Sequence, residues 1–426
     1  MSFHSIPPVV WAIYLVEMAF AAATTLTGAI LPNLVGEFNL DFSQAGVVSA
    51  VQSLASFPIV FVAGFLSDRM GAVRVLLAGL ILLTTCPVLM AIAPSYIFLL
   101  MGTGALGVAL GLIDPMTNAV LVERGGPRKG EILGLLHASF GLGAAIFPVV
   151  IAFALARGMS WRLSLAAVTL FALVAMVLFY LRQLREQHRE KPSLPRTQAG
   201  EDPESSQAPQ RGLAPASHPR REPGSLWRSP SIWAFILAMF FYSGAYRNIM
   251  VWTVVYFKEI LGTTQMVGSL ALFTLFILIV AGRLISARMS DSTDNLLLLT
   301  VYMVGGALAL LPLSRVNSPI SGLLATAAFG LASAGIFPVI TSYATSLFPA
   351  SSGTVTGLIY GSAAGGAIAL PWMLGRIADD LGLRAGMFVN SIMMSVAGLL
   401  FLALFIHQAI ARQKHGLKLH RQAGTR

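Results

Sequence analysis

The sequence predicts an all-α membrane protein with twelve membrane-crossing helices, six on each side of a polar break, and three observations carry that prediction. Of 426 residues, 56% are hydrophobic and only 11% charged, with a mean hydropathy of +0.76. Apolar runs of about 18 or more residues, each long enough to cross a hydrocarbon core about 30 Å thick, follow one another along almost the whole chain. A single tract, residues 183–230, interrupts them with repeated Pro, many charges and no apolar periodicity. Such a segment cannot bury enough surface to fold alone and is expected to be a disordered tether.

Gly, Pro and charged residues bound the spans. They are expected at 8–35, 43–66, 75–93, 96–123, 131–157 and 161–182 before the tether, and at 231–260, 265–287, 295–313, 319–348, 352–378 and 382–410 after it. The domain division that follows is 1–182, a linker 183–230, 231–410, and a basic tail 411–426. With the N-terminus cytoplasmic, the cytoplasmic loops, tether and tail hold 21 Lys and Arg against 6 outside, and Arg247 lies inside a span. Without the tether the bias is still 12 against 6, so both termini are expected in the cytoplasm. The N-terminal run has no Lys or Arg before it and is too long for a cleaved signal peptide. The single cysteine, Cys86, lies within the third span, which excludes an intrachain disulfide or a thiolate metal cluster.

Polar side chains inside these runs mark the candidate site, because a charge at mid-bilayer depth costs about 2.5–3.5 kcal/mol. In span 1, Glu17 precedes Gly28 by about three turns on nearly the same face, and Thr25 lies between them in ATTLTGAILP. Span 4 contains GLIDPMTNAVLVE, in which Pro115 leaves the Gly111 carbonyl without a helical partner and invites a kink. Asp114 and Asn118 then share a face and can hydrogen-bond a polar solute. His137 in span 5 is either a proton relay or a hydrogen-bonded structural group. In span 7, Tyr242 and Tyr246 stand one turn apart, as sugar-facing rings or as packing. Arg247 beside them needs a partner: a carboxylate such as Asp114 or Glu17, an anionic substrate, or the outer headgroups. Span 10 carries a polar patch, Thr341, Ser342, Tyr343, Thr345 and Ser346, about half of which is expected to bond back to its own helix. Tyr343 is the substrate contact expected there. Glycines four apart, Gly107 and Gly111 or Gly357 and Gly361, indicate close helix contacts.

The loop after span 2 reads GFLSDRMGAVRVL, and Gly64, Asp68, Arg69, Gly71 and Arg74 match the G-x-x-x-D-R-x-G-x-x-R signature of the major facilitator superfamily. The chain resembles that family over its full length, with AGRLISARMSD as a degenerate echo in the second half. The resemblance implies two pseudo-symmetric six-helix bundles, with spans 1, 4, 7 and 10 lining a central cavity; Glu17, Asp114 and Arg247 all fall on those spans. It also implies a gating role for the loop. There Gly64 permits close helix approach, and Asp68 faces the N-terminal end of span 11 near Ser351 and Ser352. Segments in spans 4, 5, 10 and 11 are similar to the fucose-permease-like branch of sugar–proton symporters. In that branch a helix 4 acid and Asn, here Asp114 and Asn118, help form the sugar site, and a polar helix 5 residue falls on His137. The branch's helix 1 aspartate falls on Gly28, so Glu17, together with Asp114, is the candidate for coupling.

Function classes narrow accordingly. The net charge of +10 is spread over loops and tails rather than over a soluble basic face, which argues against nucleic-acid binding. No HExxH, Cys-His cluster or GxxxxGK[ST] is present, so neither an enzyme, a metal site nor a nucleotide-driven pump is expected, and no cofactor. The expected function is secondary transport of a small polar solute, sugar-like by the branch resemblance, by alternating access across a bacterial inner membrane. The expected partners are the solute, protons and lipid, around a monomer. The alternatives are an exporter or antiporter of organic anions or drugs, and a receptor or scaffold on the same fold.

Overall fold

In lipid every backbone N–H and C=O must be satisfied within the protein, and helices do this locally. The structure, a computed structural model, describes residues 7–124, 129–189, 226–290 and 293–423. It contains α1 (Pro8–Phe38), α2 (Phe42–Met70), α3 (Ala72–Ala91), α4 (Tyr96–Arg124), α5 (Lys129–Ala156) and α6 (Trp161–Arg189). The second half contains α7 (Pro230–Glu259), α8 (Gln265–Ser290), α9 (Asn295–Leu313), α10 (Pro319–Ser333), α11 (Ile336–Leu347), α12 (Ser352–Leu381) and α13 (Leu383–Ala423). Together they provide twelve spans long and apolar enough to cross a membrane. Local chemistry sets the ends. Asp41 and Gln44 form a reciprocal capping box on α2, and Pro8 and Pro230 occupy first turns, where their missing N–H costs nothing. Gly71 ends α2 at φ +87°, a conformation that a side chain would strain; this is the physical requirement behind the second glycine of the loop signature.

Three expectations about the elements change. The tenth span is two helices: α10 stops at Ser333 and α11 begins at Ile336. Pro338 has no N–H to offer the Ala334 carbonyl, and Gly335 packs against Ser286 and Tyr302, so the helix breaks at Ala334–Gly335. At the other boundaries, α6 continues to Arg189, into the expected tether, and α13 runs through the expected tail to Ala423. The remainder of the tether, 190–225, lies outside the described residues.

Helices α1–α6 form one bundle and α7–α13 the other. They meet through α2 against α12, α5 against α8, and α1 against α7. The first two seams are equivalent under exchange of the halves, as parallel repeats require. The α2–α12 seam is closed at one end only. At the end away from the chain termini, here the far end, Gly375 lies against Phe42, and Gly46 against Pro371 and Trp372. The Asp379 carboxylate accepts from the N–H groups of Phe42 (2.7 Å) and Ser43 (2.9 Å). Gln265 at the start of α8 donates to the Ala29 carbonyl and to Asn33 Oδ1 of α1. Toward the terminal end the α2–α12 seam splays. A Cβ on Gly361 would be 3.9 Å from Phe57, while one on Gly64, Gly353 or Gly357 would have nothing within 4 Å.

This splay corrects the expected role of the loop signature in this conformation. Asp68 is exposed and makes no hydrogen bond with Ser351 or Ser352, and a Cβ on Gly64 would meet no neighbouring helix within 4 Å. Arg69 stacks on Phe65, its guanidinium carbon 4.2 Å from the ring centre, and Arg74 donates to the Met70 carbonyl at 3.3 Å.

The same clearances give a stability prediction. A Cβ on Gly366 would collide with the Phe240 carbonyl in the α7–α12 packing. Gly366→Ala should therefore lower the apparent Tm, overpacking costing about 1–3 kcal/mol. Gly357→Ala, with open space around it, should leave Tm unchanged or slightly raised. Thermal unfolding of the two variants in detergent checks the pair.

Candidate functional site

Two groups of polar side chains lie between the bundles' central helices. The first joins α1 to α4. Glu17 is 2% exposed, and its Oε2 accepts from Thr117 Oγ1 at 3.0 Å. The same hydroxyl lies 3.0 Å from the Asp114 carbonyl oxygen. The Asp114 side chain is exposed even though it lies deep in the bundle, within electrostatic reach of Glu17 on α1 and Tyr360 on α12. It faces the splayed crevice rather than lipid. Asn118 shares that face but donates its amide to the Asp114 carbonyl at 2.9 Å, leaving its oxygen for other contacts.

The second group joins the halves. Arg247 of α7 is 8% exposed and reaches across to α1 and α2. Its Nε donates to Ser49 Oγ (2.9 Å), its Nη2 to Gln52 Oε1 (2.7 Å) and its Nη1 to the Thr24 carbonyl (3.4 Å). No carboxylate among the described residues lies within 4.0 Å of it, so neither Asp114 nor Glu17 is its partner in this conformation. Nor does it reach the headgroups. Gln52 is itself held by Thr27 and by the Ala23 carbonyl. Ser49, Gln52 and Thr117 were absent from the candidate residues. The readable signal was a polar stripe in span 2, Ser49, Gln52 and Ser56, at helical spacing through an apolar run.

The remaining candidates divide. Tyr242 and Tyr246 stack with centroids 6.0 Å apart, and the Tyr242 hydroxyl donates to the Ser333 carbonyl, which the break after α10 leaves free. His137 is exposed on α5 within electrostatic reach of Arg283 of α8. Thr25 bonds only to Ala21 and Ala22 of its own helix. Tyr343 packs edge-on against Phe235 and accepts from Gln408 of α13, away from the Asp114 face. Thr341, Thr345 and Ser346 return their hydroxyls to α11, as expected. Gly28 lies at the α1–α7 contact, where a Cβ would collide with the Met250 carbonyl. No acid side chain fits there.

Known proteins agree with this architecture. A probable 4-methylmuconolactone transporter of Cupriavidus pinatubonensis (strain JMP 134 / LMG 1197) is 27% identical over 75% of this chain and 71% of its own. The fosmidomycin resistance protein of Escherichia coli (strain K12) is 24% identical over 84% and 82%, and the cyanate transport protein of the same organism 24% over 66% of each. A crystal structure of a bacterial homolog to the human lysosomal transporter Spinster, in an inward-facing and occupied conformation, superposes with a TM-score of 0.71. It is 15% identical and covers 93% of this chain and 96% of its own, a likeness of fold. Residues 13–371 match the Major Facilitator Superfamily, and with twelve spans in two exchange-related bundles around a polar centre, the chain belongs to that family.

Proposed function

We propose that this transporter carries a small organic anion by alternating access. The observation that carries the reading is Arg247, a buried cation at the junction of the two halves that is held by neutral acceptors and has no carboxylate among the described residues within 4.0 Å. A guanidinium cannot be discharged in a protein, and a buried one without a counter-charge is a ready receptor for an anion. The relatives' names, 4-methylmuconolactone and cyanate among them, support a small solute, and cyanate is itself an anion. The sugar expectation rests on the branch resemblance alone.

With the termini in the cytoplasm, as the Lys and Arg bias supports, the open end is cytoplasmic and the closed far end external. Substrate would meet Arg247 and the Asp114 face from the crevice, and the bundles would rock about the α1–α7 contact. Glu17 and Asp114 are the coupling candidates, with a proton as the coupling ion. The domain limits proposed are 1–182 and 231–410, joined by the cytoplasmic linker.

Thermal unfolding of the purified protein with a panel of carboxylates, cyanate and neutral sugars tests the reading. At 100 times its Kd a ligand stabilises the folded state by about 2.7 kcal/mol. An anion should raise the apparent Tm of the wild type and fail to do so in Arg247→Gln, whose ligand-free Tm separates lost binding from lost folding. A response to sugars alone, abolished in Asp114→Asn, would overturn the anion reading.

A further inference from the structure

The α5–α8 seam holds a second cation that the reading above does not use. Helix α5 starts at the terminal end, where the Tyr14 hydroxyl near the start of α1 donates to the Ile132 carbonyl, and α8 starts at the far end with Gln265 on α1. The two helices are therefore antiparallel. They touch where Gly141 meets Val280, and Phe140 meets Phe276 with ring centres 6.4 Å apart. One turn from that contact toward the terminal end, α5 presents His137 and α8 presents Arg283, on the faces that carry Gly141 and Val280. Arg283 lies within electrostatic reach of His137, Tyr242 and Tyr246. Its Nε is buried and has no hydrogen-bond partner, and no carboxylate among the described residues pairs with it. A buried guanidinium N–H without an acceptor is an expensive state, and a bound anion would relieve it.

The walls beside this cation are aromatic. Tyr246 packs edge-on to Phe276 at 6.5 Å and lies beside Tyr242, while Phe140 continues the panel toward Phe20 at 5.7 Å. Rings so placed offer faces and edges to a flat unsaturated body. Arg247 differs in that each of its three nitrogens already has an acceptor.

We propose that Arg283, with His137 facing it from the other half, is the docking point for the carboxylate of the substrate. The Tyr242, Tyr246, Phe276 and Phe140 panel then holds the rest, so the substrate class is a planar ring carboxylate. The inference rests on the anion reading and refines it. Because His137 and Arg283 come from different bundles, an occupied site ties the halves together; Tyr246 lies within electrostatic reach of both guanidiniums, so Arg247, bonded to Ser49 and Gln52, supplies the second positive charge beside the same anion.

The probe is benzoate, titrated against the full-length protein in detergent with thermal unfolding as readout, beside acetate (charge without ring) and benzyl alcohol (ring without charge). The wild type should bind benzoate at least tenfold more tightly than acetate and should not respond to benzyl alcohol. Arg283→Gln should weaken benzoate at least tenfold. Arg283→Lys, which keeps the charge but not the fork, should fall between, and it decides the matter if the Gln variant does not fold. Acetate binding as tightly as benzoate would overturn the proposal, and so would benzoate affinity unchanged in Arg283→Lys or, where that variant folds, in Arg283→Gln. Benzoate binding that survives in both Arg283 variants and disappears in Arg247→Gln would leave the anion reading standing without this site. No response of the wild type to any carboxylate would remove both.

Discussion

Asp379→Ala is expected to open the far end of the bundle. In the present conformation the first turn of α2 offers three backbone N–H groups with no helical acceptor, and two carboxylates take them all. Asp41, the helix's own cap, accepts from Gln44 at 2.6 Å, and Asp379, from the other half of the molecule, accepts from Phe42 and Ser43. The positive end of α2 adds to the attraction. Hydrogen bonds to a charged group are worth about 1.5–3 kcal/mol each, but the Phe42 bond is exposed and water can replace it. The lower figure is therefore the better guide. A loss of about 1.4 kcal/mol corresponds to a tenfold shift in the population of the far-end-open state. Asp379→Asn keeps an acceptor but not the charge and should shift it less.

A cysteine placed at Ala29 reads this out. That side chain is 1% exposed, and its carbonyl accepts the Gln265 bond at the α1–α8 seam. Native Cys86 is buried and adds little background. Labelling of Ala29→Cys by a membrane-impermeant maleimide should rise about tenfold with Asp379→Ala. If labelling stays at the wild-type rate, the Asp379 contact is not what holds the far end shut.

The latch also indicates which features can be read from the chain alone. Features set by neighbours within one or two turns were legible: the kink-prone Asp114–Pro115 step and the positions of the twelve spans. The break at Gly335 was legible in principle, since Gly335 followed by Pro338 removes a helical donor, but the long apolar run around it conceals it. Contacts between the halves were not legible. Asp379 lies 336 residues from Ser43, and Arg247 lies 195 from Gln52. Nothing local in either sequence stretch specifies the other. Asp68 is a different case: its expected contact with span 11 is absent from this conformation, and the sequence alone does not say which conformation a motif serves.

The Glu17–Asp114 pair, one acid buried and one facing the crevice, leads to the second large effect. Glu17→Gln should abolish accumulation driven by an inward proton gradient while leaving exchange of substrate across the membrane intact. Thr117 has one hydroxyl proton and two acceptors within reach, Glu17 Oε2 and the Asp114 carbonyl, each at 3.0 Å. While Glu17 is ionised the proton points to it. Once Glu17 carries a proton of its own it can donate to Thr117 Oγ1, and the Thr117 hydroxyl is then free to turn to the Asp114 carbonyl, which also accepts from the Asn118 amide, one residue before Pro115. On the proposed coupling, protonation on α1 would thereby be communicated to the backbone beside the crevice-facing Asp114. Glutamine keeps an acceptor for Thr117 and nearly the same volume but cannot bind or release a proton, so the α1–α4 packing survives and the switching does not. Thr117→Val removes the intermediary instead and should reduce gradient-driven accumulation without changing the volume packed between α1 and α4. Proteoliposomes loaded with unlabelled substrate report exchange, and an imposed pH step reports coupling. If Glu17→Gln responds to the pH step as the wild type does, the coupling proton does not pass through Glu17, and Asp114, exposed to the crevice, becomes the group to test by Asp114→Asn.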